Sequence, residues 1–414
     1  MSERTPNPAD RPVYLDHAAT TPVHPAVRAA MEPFLGQAFG NPSSRHAPGR
    51  HAAAAIEAAR AQVSAALGCQ PDEIVFTSGG SESNSLAVAG VLGALGARGR
   101  RHLVTTTIEH PSILAAVGAA ERCGEAAVSR VGVDGEGLVD PAAVASAVRP
   151  DTALVSVMLA NNEIGAIEPV GEIARLARSR GALVHTDAVQ GASTLDLNVA
   201  ALDVDLLTLS AHKHYAPKGT GVLFVKRGTP LAPVIHGGSQ ERGRRAGTEN
   251  VAGIVACGAA LELVSRHREA SRRRLSALAD RLIAGIEQRI PGVLLNGPRA
   301  GRLPGNVNVC FGDVQAETVL IELDLEGVYA SSGSACHAGS TEPSHVLLAI
   351  GRPAAVAHTA LRLSLGLPTT DADIDRVLDV LPPLVARLRA TSTTLSDSAP
   401  RLADVACESN RERA

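Results

Sequence analysis

Five short apolar runs in this chain are each followed at once by residues able to do chemistry. Ile74–Thr77 leads into Ser78-Gly79-Gly80-Ser81-Glu82-Ser83-Asn84, and His102–Thr106 leads into Glu109 and His110. Ala153–Leu159 leads into Asn161-Asn162-Glu163, Ala182–Thr186 into Asp187 and Gln190, and Val204–Leu209 into Ser210-Ala211-His212-Lys213. In an open parallel sheet, ligands bind beyond the carboxyl ends of the strands. If the five runs are strands of one such sheet, these groups collect at one edge and together define a cofactor site.

Lys213 carries the most specific chemistry. Of 39 Lys and Arg residues, only Lys213, Lys218 and Lys226 are lysine. A compositional bias toward Arg accounts for that count, but the two residues are not interchangeable. An amine can lose its proton and form a Schiff base, whereas a guanidinium stays charged. Lys218 sits in a Pro217-Lys218-Gly219 turn and Lys226 beside Arg227-Gly228, both surface positions. Lys213 follows an apolar strand directly and is the Schiff-base candidate.

The neighbouring groups admit two readings each. Asp187 closes an apolar strand, where a carboxylate is costly unless paired. The pyridinium nitrogen of pyridoxal phosphate is a suitable partner, and a helix N-cap is the structural alternative. His110, before Pro111, suits a helix cap or a flat partner for a cofactor ring. Ser78–Ser81 opens a helix with free N–H groups that suit a phosphate, and equally suits a tight turn. Neither GxGxxG nor GxxxxGK occurs, which disfavours dinucleotides and nucleoside triphosphates. His212 and His214 form an HxH pair without a third ligand nearby, so no metal is expected.

Six cysteines (Cys69, Cys123, Cys257, Cys310, Cys336, Cys407) are scattered without a CxxC pair, which favours a reducing compartment. Cys336 lies in a run of small polar residues, where a thiolate could be exposed and nucleophilic. Arg362 is a charge in the apolar stretch Ala360–Leu365 and calls for an anionic partner. A substrate carboxylate held bidentately is one candidate.

These residues need a scaffold of matching size. The 414 residues suit two or three domains, and 45% hydrophobic with 20% charged residues fits a globular protein. The net charge of −3 offers no global basic field for nucleic acid. The longest apolar run, near Val251–Leu261, is too short to span a bilayer, and the first dozen residues hold no signal-peptide core. Strand-like runs, with Gly221–Val225 among them, alternate with helical stretches, which predicts an α/β domain with a largely parallel sheet. A helix is expected over Ala52–Leu67, ending at Gly68. A long Arg-rich helix over about Val264–Arg289 leads into a smaller α+β domain, with Val307–Phe311, Thr359–Ser364 and an Asp371-led helix. The Arg272–Arg274 run reads as a solvated face. The expected organisation is an arm over 1–12, a large domain over 13–265, a small one over 266–390 and a disordered tail over 391–414.

With these motifs in order, the chain resembles the cysteine desulfurases, in the class V aminotransferase branch of fold-type I pyridoxal-phosphate enzymes. The resemblance runs from Tyr14-Leu15-Asp16-His17-Ala18-Ala19-Thr20-Thr21-Pro22 to about Leu388. It is carried by Asn41-Pro42-Ser43-Ser44, Phe76–Ser83, Asn161–Gly165, Ser210–Lys213, Arg245-Ala246-Gly247-Thr248 and Ser331–Cys336. It implies a large domain with a mostly parallel seven-stranded sheet, plus a smaller α+β domain with which the first residues of the large domain pack. Lys213 would bind pyridoxal 5'-phosphate covalently and shuttle the α-proton. Asp187 would hold the ring nitrogen, Gln190 the ring hydroxyl, and His110 would stack on the ring and assist proton transfer. Gly80, Ser81, Ser210 and His212 would bind the phosphate, with Thr248 reaching in from the partner of a homodimer. Asn162 and Arg362 would hold the carboxylate of L-cysteine. Cys336 would take the sulfur as a persulfide, release alanine, and pass the sulfur to an acceptor protein. Iron–sulfur scaffolds and enzymes that thiolate tRNA or DNA all draw on such chemistry.

The resemblance also implies a cytoplasmic enzyme that contacts neither membrane nor nucleic acid directly. Ser81 departs from the family's common Thr while keeping the hydroxyl, and His337 stands where Thr is frequent. The residues after Thr391 match no family pattern. Selenocysteine lyase or another class V activity is the rival reading, and it would not need the Cys336 loop.

Overall fold

The computed structural model describes residues 11–332 and 342–392. Its centre is a seven-stranded sheet. From edge to edge the strands are Ile74–Thr77, Gly221–Val225, Leu206–Ser210, Leu183–Asp187, Thr152–Ser156, His102–Thr106 and Ala127–Val131. Gly221–Val225 runs antiparallel to both its neighbours, and every other pairing is parallel. The five apolar runs of the sequence are therefore strands of one sheet. Ala127–Val131 was not expected; it is a partly exposed edge strand and lacks the continuous apolar character of the others.

Side chains alternate across a strand, so each strand feeds two cores. Phe76, Val104, Val155, Val184, Leu207 and Phe224 pack on one face with Val63, Ile173 and Leu261 from helices Ala47–Leu67, Val170–Ser179 and Val251–Arg289. Val75, Leu103, Leu154, Leu206 and Leu223 pack on the other with Leu86 and Ile113 from helices Gly80–Leu95 and Pro111–Arg122. Each such side chain, fully buried, contributes about 1.5–3 kcal/mol.

Helix boundaries differ from expectation in instructive ways. Ala47–Leu67 starts five residues before Ala52, because the His46 ring caps the Gly49 N–H; it ends at Gly68 in the left-handed conformation. The long helix starts at Val251 rather than Val264, capped by Asn250 on the Gly253 N–H. Its first turns are buried and apolar on most sides, so no amphipathic stripe marks them. Its 39 residues link two cores. Ile254, Leu261 and Val264 belong to the sheet core, whereas Leu275, Leu282 and Ile286 belong to a second core.

That second core covers an antiparallel sheet of Ser331–Ser332, Ala360–Ser364, Asn306–Cys310 and Leu294–Leu295. Val13–Tyr14 pairs in parallel with Val328–Tyr329, and Asp16 bridges to Ser364, so the start of the described chain lies against this unit. Arg11, at the end of the expected arm, donates to Asp373 at 2.7 Å, and residues 1–10 of that arm lie outside the described residues. Arg272, Arg273 and Arg274 are all exposed, in keeping with a solvated face, and the Arg274 guanidinium also reaches the Leu367 carbonyl at 2.8 Å. The last helix, Asp371–Ser392, runs just past Thr391; the remainder of the expected tail, with Cys407, lies outside the described residues. Among the described residues, no helix is long and apolar enough to cross a membrane.

Candidate active site

A cleft of about 550 Å³ opens where the parallel strands end. Gly80, Ser81, His110, Asn162, Asp187, Gln190, Ser210, His212, Lys213 and Arg362 all line it. Topology brings together residues more than 280 positions apart in sequence, because strands that are neighbours in the sheet are separated by whole helices.

Lys213 stands on a short 3-10 turn that follows strand Leu206–Ser210 directly. Its Nζ donates to the carbonyls of Ala18 and Ala19, at 2.5 and 2.6 Å. Gln190 Nε2 donates to the same Ala18 carbonyl at 3.1 Å, so the segment after Asp16 forms one wall of the site. His212 Nδ1 lies 3.1 Å from Thr20 Oγ1. Burial, with Lys213 and Lys218 nearby, pushes the His212 imidazole down to about 4, so it is neutral. The two rings of the HxH pair have different surroundings, since His214 is buried 3.9 Å from the Cys257 sulfur. Lys218, exposed, sits at the mouth of the cleft, and Lys226 lies 3.8 Å from Asp203 at the surface.

Asp187 is only 5% exposed. Its Oδ1 accepts from the Val189 N–H at 3.0 Å and its Oδ2 from Asn84 Nδ2 at 2.7 Å. It does not cap a helix. His110 does: its Nδ1 accepts from the Ser112 N–H at 3.2 Å, at the start of helix Pro111–Arg122. The cap and the cleft-lining role coexist, because capping uses only Nδ1. Burial lowers the His110 pKa; Asp187 opposes that shift, while Lys213 and His345 add to it.

The Ser78–Ser81 turn opens helix Gly80–Leu95 without a side-chain cap, so its first N–H groups remain available beside the cleft. Gly80 is closely enclosed: a Cβ there would meet Ser210 Cβ and Val189 Cγ2, each at 3.2 Å. Gly221 lets its strand pass under the turn, since a Cβ would lie 2.5 Å from the Gly79 carbonyl carbon. Arg245 pairs with Glu82 at 2.9 Å and ties the Arg245–Thr248 segment to this turn. Thr248 itself does not line this cleft; it is exposed just before helix Val251–Arg289.

Arg362 has an anionic partner within the protein, which the sequence reading did not find. Its Nη2 donates to Asp16 Oδ1 at 2.9 Å, and its Nη1 to the Asn162 carbonyl at 3.3 Å. Glu163 also lines the cleft; burial pushes its carboxyl up to about 7, and it accepts from Ser344 Oγ at 2.5 Å. Asn84, Ser112, Glu163 and Asp16 were not singled out as site residues. All stand in the motifs quoted above or beside them, but only contacts across the fold reveal what they bond.

Cys336 lies within 333–341, outside the described residues. The described chain ends at Ser332, paired with Leu361 next to Arg362, and resumes at Glu342, two residues before Ser344. The other described cysteines are poor candidates for a thiolate at this cleft. Burial pushes Cys69 and Cys257 up to about 12 and also raises Cys310. Cys123 is exposed, but it caps the far end of the 12-residue helix that His110 opens, about 18 Å along the axis.

Residues 13–377 match the family model described as aminotransferase class V. A curated relative from Dictyoglomus turgidum, "Cysteine desulfurase IscS", is 49% identical over 382 residues, 92% of this chain and 96% of that protein. A solved structure titled "NIFS-LIKE PROTEIN" is 34% identical, with a TM-score of 0.86 over 91% of this chain and 100% of that one. Another, "SspA in complex with cysteine", is 36% identical, with a TM-score of 0.75 over 85% of this chain and 98% of that one.

Proposed function

The chain belongs to the class V aminotransferase family, and within it to the cysteine desulfurases; from that premise we propose that the cleft around Lys213 removes sulfur from L-cysteine with pyridoxal 5'-phosphate as cofactor and Cys336 as sulfur acceptor. The observation that carries this reading is the convergence of Lys213, Asp187, His110 and Arg362 on one cleft.

The donor set fits the cofactor. A primary amine shares the cleft with the nearly buried Asp187 carboxylate, which suits a protonated ring nitrogen. An uncapped helix start, the enclosed Gly80 and the hydroxyls of Ser81 and Ser210 suit a phosphate dianion. Bound there, pyridoxal phosphate supplies an electron sink for charge developing at the substrate α-carbon. Lys213 holds the cofactor through its amine and moves the α-proton. Gln190, held at the Ala18 carbonyl, would bond the ring hydroxyl, and His110 would stack on the ring and assist proton transfer. Arg362 and Asn162 bind the substrate carboxylate. The Cys336 thiolate attacks the substrate sulfur; an S–S bond forms, the Cβ–S bond breaks with its electron pair left on carbon, and protonation of that carbon gives L-alanine. Ser332, four residues before Cys336 in the sequence, pairs with Leu361 beside the cleft-lining Arg362.

The persulfide then passes to an acceptor protein, either an iron–sulfur scaffold or a thiolation enzyme. The working form is a cytoplasmic homodimer, with Thr248 completing the phosphate site of the partner. Exposed Phe39, Leu35, Val234 and Ile235 support an apolar interface, and the last two share a segment with Thr248. The division at residue 265 places the two halves of the long helix in different domains.

Cys336→Ser and Lys213→Ala test this reading. Cys336→Ser should retain the cofactor's visible absorption but lose alanine and sulfide release from L-cysteine. Lys213→Ala should release the cofactor on desalting. Unchanged alanine formation by Cys336→Ser would overturn the proposal.

A further inference from the structure

Asn84 and Ser112 have no part in the reaction as proposed, yet they stand between two groups that do. The Asn84 amide is buried; it gives one hydrogen to Asp187 Oδ2 at 2.7 Å and the other to Ser112 Oγ at 2.9 Å. Its orientation is dictated by Asp187. Turned over, the amide would set Oδ1 against a carboxylate oxygen, acceptor against acceptor. Nδ2 therefore faces both partners, although Oδ1 is left buried without a hydrogen bond. Ser112 Oγ, accepting from Asn84, lies 2.8 Å from His110 Nδ1, and because the Ser112 N–H already donates to that nitrogen the hydroxyl bonds it as a second donor. The Ser112 N–H reaches the same nitrogen at 3.2 Å. With two donors on Nδ1, the proton of a neutral imidazole resides on Nε2.

We propose that Asn84 and Ser112 are positioning residues: a directed hydrogen-bond chain from Asp187 through both of them holds His110 as the Nε2–H tautomer. His110 then meets its ligands with an N–H rather than a lone pair. It can accept a proton only at Nδ1, and that requires the Ser112 hydroxyl to turn away. Burial opposes a charged His110, Asp187 favours it, and Lys213 and His345 oppose it. The Ser112 hydroxyl adds to the opposing side, because it donates to the neutral ring. The inference rests on the proposed function only in giving His110 a part in the reaction.

The test uses the full-length protein with its cofactor, labelled with ¹⁵N-histidine. Long-range ¹H–¹⁵N spectra distinguish the ring nitrogens, and the signal missing from His110→Gln assigns His110. The expected result is a wild-type His110 with its proton on Nε2. In Ser112→Ala its pKa should rise by roughly half to one unit, the worth of one hydrogen bond. Ser112→Thr should restore the wild-type value, and Asn84→Ala should move it in the same direction as Ser112→Ala. The acid limb of the pH profile for kcat/KM should shift with it. A proton on Nδ1 in the wild type, or an unaltered His110 pKa in folded Ser112→Ala, would sink the proposal. If the tautomer is as stated but His110→Gln desulfurates L-cysteine at the full rate, the positioning role and the assignment of His110 to the reaction are overturned together, while the tautomer stands.

Discussion

Arg362 and Asp16, 346 positions apart in the chain, form an ion pair in the wall of the cleft, with Nη2 of one 2.9 Å from Oδ1 of the other. The arginine is 1% exposed, and the aspartate about a fifth. A guanidinium so deeply placed depends on its partner, because removal of one member of a buried pair leaves an uncompensated charge. The same pair fixes which edge of the guanidinium faces the cleft.

Asp16→Ala should therefore lower stability by about 2–3 kcal/mol, less than a fully buried pair would give because Asp16 is partly solvated. It should also raise the KM for L-cysteine more than it lowers kcat. Urea unfolding and steady-state kinetics check the two parts. A variant as stable as the parent with an unchanged KM would show that Arg362 is oriented by other contacts.

Gly80→Ala and Gly221→Ala probe the turn at the start of helix Gly80–Leu95. The new methyl at Gly80 would press on Ser210 and Val189 at 3.2 Å, which calls for small shifts in the phosphate site. Cofactor affinity, measured by titration of the cofactor-free protein, should fall roughly tenfold, equivalent to about 1.4 kcal/mol. At Gly221 the methyl would meet the Gly79 backbone, which cannot yield as a side chain can. That variant should lose both affinity and thermal stability.

Three buried carboxyls make stability depend on pH. Burial is the main cause that pushes Glu109 up to about 8, and Glu163 and Glu168 up to about 7, from 4.5. A carboxyl with a raised pKa in the folded state favours folding most below the unfolded value. That advantage is lost as pH rises through the folded value. Stability should decline between about pH 4.5 and 8, by up to about 1.4 kcal/mol per unit for each carboxyl. Glu109→Gln should flatten the part of this decline near pH 8, as followed by melting temperature against pH. A wild-type profile that rises steadily to pH 8 would refute it.

Thiol labelling separates the cysteines. At pH 7.5, iodoacetamide should modify exposed Cys123 readily but should spare Cys257 and Cys310 until the protein is unfolded, since both are buried and hold their protons. Loss of desulfurase activity should follow modification of Cys336 rather than of Cys123, and a Cys123→Ser variant labelled in parallel, with peptides identified by mass spectrometry, decides between them.

Much of the site was legible because strand ends carry their functional groups within a few residues. Lys213, Asp187 and His110 are each readable from an apolar run and the polar residues that follow it. Asp16, Asn84 and Ser112 were not, for their roles consist of contacts across 346, 103 and 28 positions, and no local pattern encodes these. The start of the long helix was missed for a related reason. Burial on most sides erases the period that would have marked it.

By itself the sequence determined the continuous apolar runs that build the sheet, the turn chemistry around Gly80 and the presence of an amine, a carboxylate and an imidazole after successive strands. Only the tertiary structure decided how these are oriented. It made Asp16 the partner of Arg362 and directed Asn84 toward Asp187, because hydrogen-bond direction and charge pairing depend on which atoms meet across space.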